Sequence, residues 1–556
     1  EGRIIFRNRA DIWIYDGKGD AARKLDIHLA TDFDQKRERW VSNPLSCLNS
    51  WFLSHDGKRV GLTIRGRGYV VPVKPGRVVR LKQKVESRTR DLRFLPGTRD
   101  MIYLSDQSGE MEFWRQPADG LGEPLQVTTG GTTMRHDGIP SPNGKLLAHT
   151  DRNQVLWMRD LASGVEWKVA HSREGNEWDY IDLTWSPDSR WIAFADTMEN
   201  RTQQIFLYDT GTKTRPVPVT TARLDSYSPV FGPGGKWLYF LSDRTFRSVQ
   251  GSPWGARQPE PLLDKTTGIF ALDLIGGQRS PFLAKDEGEP PGSGEEGAKK
   301  DEVNLDGIES RLVVVPVEAS NYRHLSRARG NLFCLYSSLS LSRKSSLVTF
   351  PITADATRHK WTTVMSDVRG FELSGDETTC LVRKGDSFYV FAATGKAPSN
   401  PTQGKLNLGG LSLSVSPAEE WRQMFVDAWR MHRDYFYDPK MHRVDWEEAR
   451  RRHEPLLPLL TSRWELDDLI GQMVGELSAM HTDIYSGDIR DATDGSSLGH
   501  LGAQFSRAEE GFRIDHLYET DPDYPAEEGP LLKAGVEMQV GDVILSVDGV
   551  PAASVR

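Results

Sequence analysis

Cysteine is scarce in this 556-residue chain. Only Cys47, Cys334 and Cys380 occur, too far apart for a disulfide framework or a spaced zinc site, so no oxidising compartment is required. No run of eighteen apolar residues exists, which excludes a membrane-spanning helix. Positive charge is not in excess: the formal net charge is −8, the wrong balance for a dedicated nucleic-acid binder. The one G-x-S-x-G string, Gly495-Ser496-Ser497-Leu498-Gly499, follows a polar stretch and not the apolar strand that a nucleophile elbow needs, which argues against a prolyl-oligopeptidase-like hydrolase behind a propeller. The chain opens at Glu1 without methionine, basic n-region or apolar h-region, so no signal peptide is visible. It stops at Val555-Arg556 inside an apparent domain, and we expect it to be a segment of a longer protein.

Glycine and tryptophan are abundant, at 51 and 16 residues, as in many all-β chains. Leu53-Ser54-His55-Asp56-Gly57-Lys58 recurs as Pro140-Ser141-Pro142-Asn143-Gly144-Lys145, Trp185-Ser186-Pro187-Asp188-Ser189-Arg190 and Phe231-Gly232-Pro233-Gly234-Gly235-Lys236. Degenerate copies stand at Phe94-Leu95-Pro96-Gly97 and Leu373-Ser374-Gly375-Asp376. From Ser54 through Leu95, Ser141 and Ser186 to Gly232 the intervals are 41, 46, 45 and 46 residues. Proline fixes φ, Asp or Asn bonds its own backbone and glycine accepts positive φ, so each copy is a tight turn between two strands. Three or four strands per copy is the period of a β-propeller blade. The count predicts seven blades over 39–410, with a blade centred on Asn331–Thr349 and a charged, Gly/Pro-rich insertion over about 285–302. Residues 1–38, with strands at Ile4-Ile5-Phe6 and Ile12-Trp13-Ile14-Tyr15, read as the tail of a preceding unit.

Near Ser416 the apolar period changes from 2 to 3.6. Ser416-Pro417-Ala418-Glu419 has the pattern of a capping box, and Trp421, Met424, Phe425, Ala428, His432 and Tyr435 share one helical face. Asp445 starts a second helix that should stop before Pro458. Ser462 caps a third, with an apolar stripe of Leu466, Leu469, Ile470, Met473, Val474 and Leu477. His481 follows at the expected helix end, before the strand-like Thr482-Asp483-Ile484-Tyr485. A histidine there suits a general base, although spacing alone favours a core residue that extends the stripe. His432, His442 and His453 form no metal pattern, and neither metal nor cofactor is expected. Further on, Leu498-Gly499-His500-Leu501-Gly502 is a glycine-flanked loop suited to presenting N–H groups to a peptide carboxylate. Gly529 to Gly549 then runs short helix, Gly541-Asp542 turn, alternating strand and Asp548-Gly549 turn, the order of a PDZ domain over 495–556.

The whole is therefore a multidomain, mainly β chain: a seven-bladed propeller, a helical block over 411–494 and a truncated PDZ domain. In this order of parts the sequence resembles the tricorn protease family of serine peptidases. The most specific stretches are Asp306-Gly307-Ile308-Glu309-Ser310-Arg311, Glu420-Trp421-Arg422-Gln423-Met424-Phe425, Arg433-Asp434-Tyr435-Phe436-Tyr437-Asp438-Pro439 and Gly475-Glu476-Leu477-Ser478-Ala479-Met480-His481-Thr482. The resemblance implies that residues 3–26 close a six-bladed propeller and that the helical block is the first half of a catalytic core. It makes His481 the general base and puts the nucleophilic serine, a glutamate and the oxyanion hole outside this chain. The family's orienting serine immediately precedes the histidine; here Met480 stands in that place, leaving Ser478 or Thr482, or a different arrangement, to orient the ring. It further implies oligopeptide substrates, a homo-hexamer and a cytoplasmic location. The competing reading is a non-catalytic propeller–PDZ scaffold that binds extended peptides by strand addition.

Overall fold

Ser54 shows how each repeat is held. Its Oγ donates to Asp56 Oδ1 (2.7 Å) and accepts the N–H groups of Lys58 (3.0 Å) and Arg59 (2.9 Å). Ser141 repeats the device with Asn143 (2.8 Å) and Leu146 (3.0 Å), Ser186 with Asp188 (2.5 Å) and Trp191 (2.8 Å), and Ser374 with Asp376 (2.6 Å) and Thr379 (2.9 Å). All four serines are buried, so the hydroxyl replaces water for a turn backbone closed inside the fold. The third residue after each serine has positive φ: Gly57 (66°), Gly144 (68°), Ser189 (64°) and Glu377 (59°).

The structure is a computed structural model that describes residues 3–8, 11–17, 21–28, 30–172, 182–248, 263–284, 302–339, 342, 344–400, 404–485, 487–490 and 498–554. The turns join the first and second strands of seven antiparallel sheets, spanning 48–80, 89–126, 135–171, 184–218, 226–314, 321–368 and 370–392. Six have four strands in sequence order and the last has three. The first strands pack on one another around an axis, and Gly370–Leu373 of the seventh sheet meets Leu48–Leu53 of the first, which closes a seven-bladed propeller. Of the charged insertion only Glu302 is described; 285–301 lie outside the described residues.

Apolar residues fuse neighbouring blades. Ala193, Ile205 and Leu207 of the fourth share a cluster with Leu238, Phe240 and Phe270 of the fifth. Because both sheet faces are covered, strands such as Trp237–Asp243 read as nearly unbroken apolar runs. The closing seam is sealed by Leu381 and Phe388 against Val60, Leu62 and Ile64. Across it the Asp376 N–H donates to His55 O (3.0 Å) and the Leu53 N–H to a Glu372 carboxylate oxygen (2.6 Å). Ser414–Val415 pairs with Arg39–Trp40 beside this seam. Strands Arg3–Asn8, Asp11–Asp16 and Ala21–Lys24 form a separate three-stranded antiparallel sheet.

Three helices follow: α1 (Pro417–Tyr435), α2 (Trp446–His453) and α3 (Arg463–Gly475). The capping box expected at Ser416 does not form: its side chain makes no cap bond. Pro417 occupies the first helical position, and Glu420, next to the expected box partner Glu419, bonds Arg65 of the first blade. At α3 both halves of the box are present between Ser462 and Glu465. The stripe from Leu466 to Leu477 is buried against Trp421, Phe425 and Trp429 of α1. Trp429 and Trp446 each donate the indole N–H to the other's carbonyl (3.0 and 2.9 Å). After α2 the chain continues as 3-10 helix through Pro458 to Leu459. Thr482–Tyr485, expected as a strand, joins no sheet among the described residues.

A second compact unit spans Ser486–Arg556. Strands Ala503–Arg507, Phe512–Leu517 and Val543–Ile544 form its sheet around buried Ile514, and Ser546–Val547 turns back on Val550–Pro551. Asp548 (φ 49°) and Gly549 (φ 78°) give that hairpin the two left-handed residues of a type I′ turn. No helix among the described residues is long and apolar enough to cross a membrane.

Candidate functional site

The face of α1 turned from the helical core is charged, and it docks on the end of the propeller opposite the repeated turns. Arg65 grips Glu420 through two bonds of 2.7 Å. Arg430, 1% exposed, reaches Asp427 (3.0 Å), Asp106 (3.4 Å) and the Gly109 carbonyl (2.7 Å). Arg88 adds a second bond to Asp427 (3.0 Å). Arg433 holds Glu110 (2.7 and 2.9 Å), and the pairing raises its pKa, while Asp434 accepts the Met134 N–H (2.9 Å). Charged hydrogen bonds with this many partners fix orientation as well as position.

Beside this interface lies a cavity of about 910 Å³. Its walls come from the first strands of the second and third blades (Arg90, His136, Asp137), the end of α1 (Met431, Tyr435) and the loop after α3 (Met480, Thr482). Tyr435 and His136 share a 2.5 Å hydrogen bond, and the Arg152 guanidinium lies 4.5 Å from the Tyr435 ring centroid.

Along the first strands a second set of polar residues stands at matching positions, each four residues before the turn residue of its blade: Asp91, Asp137, Asp182 and Ser228. His324 is the counterpart in the sixth blade. Four of them, Asp91, Asp137, Ser228 and His324, have positive φ, at 50°, 30°, 51° and 55°. Burial raises the Asp91 pKa and Asp137 adds to the shift; burial raises Asp182 as well, against the Ser228 N–H bonded to it (2.9 Å). Burial lowers the His324 pKa, with Asp182 opposing it. These axial residues did not emerge from the turn motif, although their fixed offset from it is a readable signal.

His481 sits at the mouth of the loop that walls the cavity. Ser478 (φ 49°) and His481 (φ 62°) turn the chain out of α3. The Leu477 carbonyl is held by His442 Nδ1 (2.8 Å), and Tyr437 bonds the other His442 nitrogen. His442 thus anchors this loop, whereas His432 and His453 bond carbonyls one helical turn back, Ala428 (2.9 Å) and Ala449 (2.8 Å). The His481 side chain is exposed, and among the described residues it makes no hydrogen bond, to Ser478 and Thr482 included. Thr482 Oγ donates to the Ala479 carbonyl (3.2 Å) and accepts no hydrogen bond among the described residues. Met480 is 84% exposed.

In the second unit, Leu498-Gly499-His500-Leu501-Gly502 is an open loop. Leu498 is 95% exposed, and among the described residues no N–H from 498 to 502 is hydrogen bonded. The loop is positioned through its carbonyls: Leu501 O accepts from Leu531 (3.4 Å) and Gly502 O from Tyr518 (3.0 Å). Gly502 (φ 74°) is required, because a Cβ there would lie 2.9 Å from Gly529 Cα.

Comparison with known proteins gives one consistent result. The sequence profile described as "Tricorn protease second beta propeller domain" matches residues 48–394. "Tricorn protease C1 domain" matches 417–475 and "Tricorn protease PDZ domain" 499–556. His481 lies just beyond the matched C1 residues. A "Tricorn protease homolog" of Saccharolobus solfataricus is 28% identical over 98% of this chain and 49% of its own length. "Tricorn protease homolog 1" of Streptomyces coelicolor is also 28% identical, over 98% of this chain and 53% of its own. The crystal structure of the tricorn protease superposes with a TM-score of 0.76 at 21% identity, covering 99% of this chain and 52% of that one. The chain spans about half the length of these relatives. Propeller, C1 and PDZ profiles follow one another in register, the first alone covering more than half of the residues, and the chain belongs to the tricorn protease family.

Proposed function

We propose that this chain is the propeller, base-bearing and PDZ part of a serine-type peptidase acting on oligopeptides. The observation that carries the reading is His481: an exposed imidazole without a hydrogen-bond partner among the described residues, on an anchored loop, beside a cavity that reaches the first strands of the propeller. A serine hydroxyl attacks an acyl carbon only when a base removes its proton, and the tetrahedral oxyanion needs preorganised donors. His481 supplies the base. The nucleophile, the glutamate and the oxyanion donors belong to sequence outside these 556 residues. Thr482, with free acceptor capacity one residue away, is a candidate to orient the ring where Met480 cannot. The propeller guides peptides towards the cavity, the loop 498–502 holds a peptide carboxylate, and the protein works as a homo-oligomer.

The test compares this segment with a longer polypeptide containing it, on fluorogenic oligopeptides. Cleavage by the longer protein, blocked by a serine-directed inhibitor, with none by the segment, is expected. Cleavage by the segment alone, or insensitivity of the longer protein to the inhibitor, overturns the reading.

A further inference from the structure

The base needs only the rim of the cavity, which leaves its interior without a task. A volume of about 910 Å³ lies near the upper end for ligand cavities and exceeds any one side chain, so it admits a short stretch of chain. Its apolar walls come from separate elements: Met134 from the third blade, Met431 and Phe436 from α1 and its cap, Met480 from the loop. Met431 is 41% and Met480 84% exposed. Unbranched thioethers left in contact with water suit a surface that is covered by apolar groups of varied shape.

The polar end of the cavity is equally specific. Arg90 lines it, burial lowers its pKa, and its Nε is buried without a hydrogen-bond partner among the described residues. Asp427 lies 3.6 Å from the guanidinium but is already bonded to Arg88 and Arg430 at 3.0 Å each, and Asp91 also favours its charge without hydrogen bonding to it among the described residues. A buried guanidinium with donors to spare is stabilised by a further oxygen acceptor. At the same end Asp137 lines the wall, with Asp91 adjoining it, so an acidic side chain is repelled.

We infer that this cavity is a subsite for a short apolar stretch of peptide, with side chains against Met134, Met431, Phe436 and Met480 and a main-chain carbonyl oxygen on Arg90. The inference rests on the peptidase reading for the identity of the ligand as peptide. Because Met480 and Thr482 flank His481, residues held here lie next to the bond presented to the base, and the subsite sets which sequences are cleaved.

Fluorescence anisotropy on the 556-residue chain tests this without any turnover. The probes are two dye-labelled, blocked peptides, Leu-Phe-Leu-Phe and Ser-Asp-Ser-Asp. The apolar peptide is expected to bind at least about tenfold tighter. Met431→Trp, which fills the cavity from an exposed helical position, is expected to weaken it about tenfold, and Met480→Asp similarly; Met431→Leu retains it. Arg90→Met weakens it by a smaller factor. Equal affinity for the two peptides, or wild-type affinity in both Met431→Trp and Met480→Asp, overturns the inference. Should Met431→Trp lower the melting temperature, Met480→Asp on the exposed loop decides alone. The peptidase reading fails on a separate measurement, turnover by the longer protein, so the two are distinguishable.

Discussion

At one end of the propeller the same turn is made again and again: Ser54, Ser141, Ser186 and Ser374 each bond an Asp or Asn two residues on and gather the N–H groups that follow. At the other end no two contacts are alike. Arg65 takes Glu420, Arg430 takes Asp427, Asp106 and Gly109, and Arg433 takes Glu110. The repeated end secures the ring, and loss of one copy leaves the others in place. The singular end holds one helix in one orientation, and through it the cavity and the His481 loop, so each contact there has no substitute.

That contrast predicts an order of effects. The largest falls at the singular end. Arg430→Met leaves Asp106 and the Gly109 carbonyl short of a buried partner and should cost about 3–5 kcal/mol, as broken buried pairs do. Chemical denaturation should show the helical block loosening before the propeller; a single transition with unchanged midpoint would erase the distinction between the ends. At the repeated end, Gly144→Ala puts a Cβ 2.1 Å from the Pro96 carbonyl oxygen in a left-handed residue. A loss of about 2–3 kcal/mol is expected, read as a fall in Tm with the cavity intact.

The effect confined to one pH range lies at the closing seam. Burial lifts the Glu372 pKa to about 7, outweighing Arg93 and the Leu53 N–H, both of which favour the carboxylate. The folded chain therefore keeps a proton that the unfolded chain loses near its ordinary value of 4.5. Stability is greatest below that value, falls as pH rises towards 7 and levels off above it. Glu372→Gln, which still accepts the Leu53 N–H, should flatten that part of the Tm–pH curve. A variant that keeps the slope would place its origin elsewhere.

What was legible in the sequence follows the same division. The turn repeat and the α3 stripe are local patterns, and the turn serines and the stripe residues are buried as their spacing predicts. The helical face expected for α1 ran from Trp421 to Tyr435 but omitted Trp429, Asp427 and Arg430, all buried. Arg430 reads as a surface residue because its partner Asp106 is 324 positions away in the chain. Ser416, expected to form a capping box with Glu419, makes no side-chain cap bond. Thr482–Tyr485 finds no partner strand among the described residues, and β-propensity alone makes no sheet. The axial aspartates carried a signal in their offset from the turn, which a reading of the turns alone passes over.

The proposed peptidase chemistry depends most directly on His481. In a longer polypeptide containing this chain, His481→Ala should lower kcat for oligopeptide hydrolysis by about 10³-fold or more, with Tm unchanged because the side chain is exposed and makes no hydrogen bond among the described residues. Near-wild-type turnover by that variant would contradict the account.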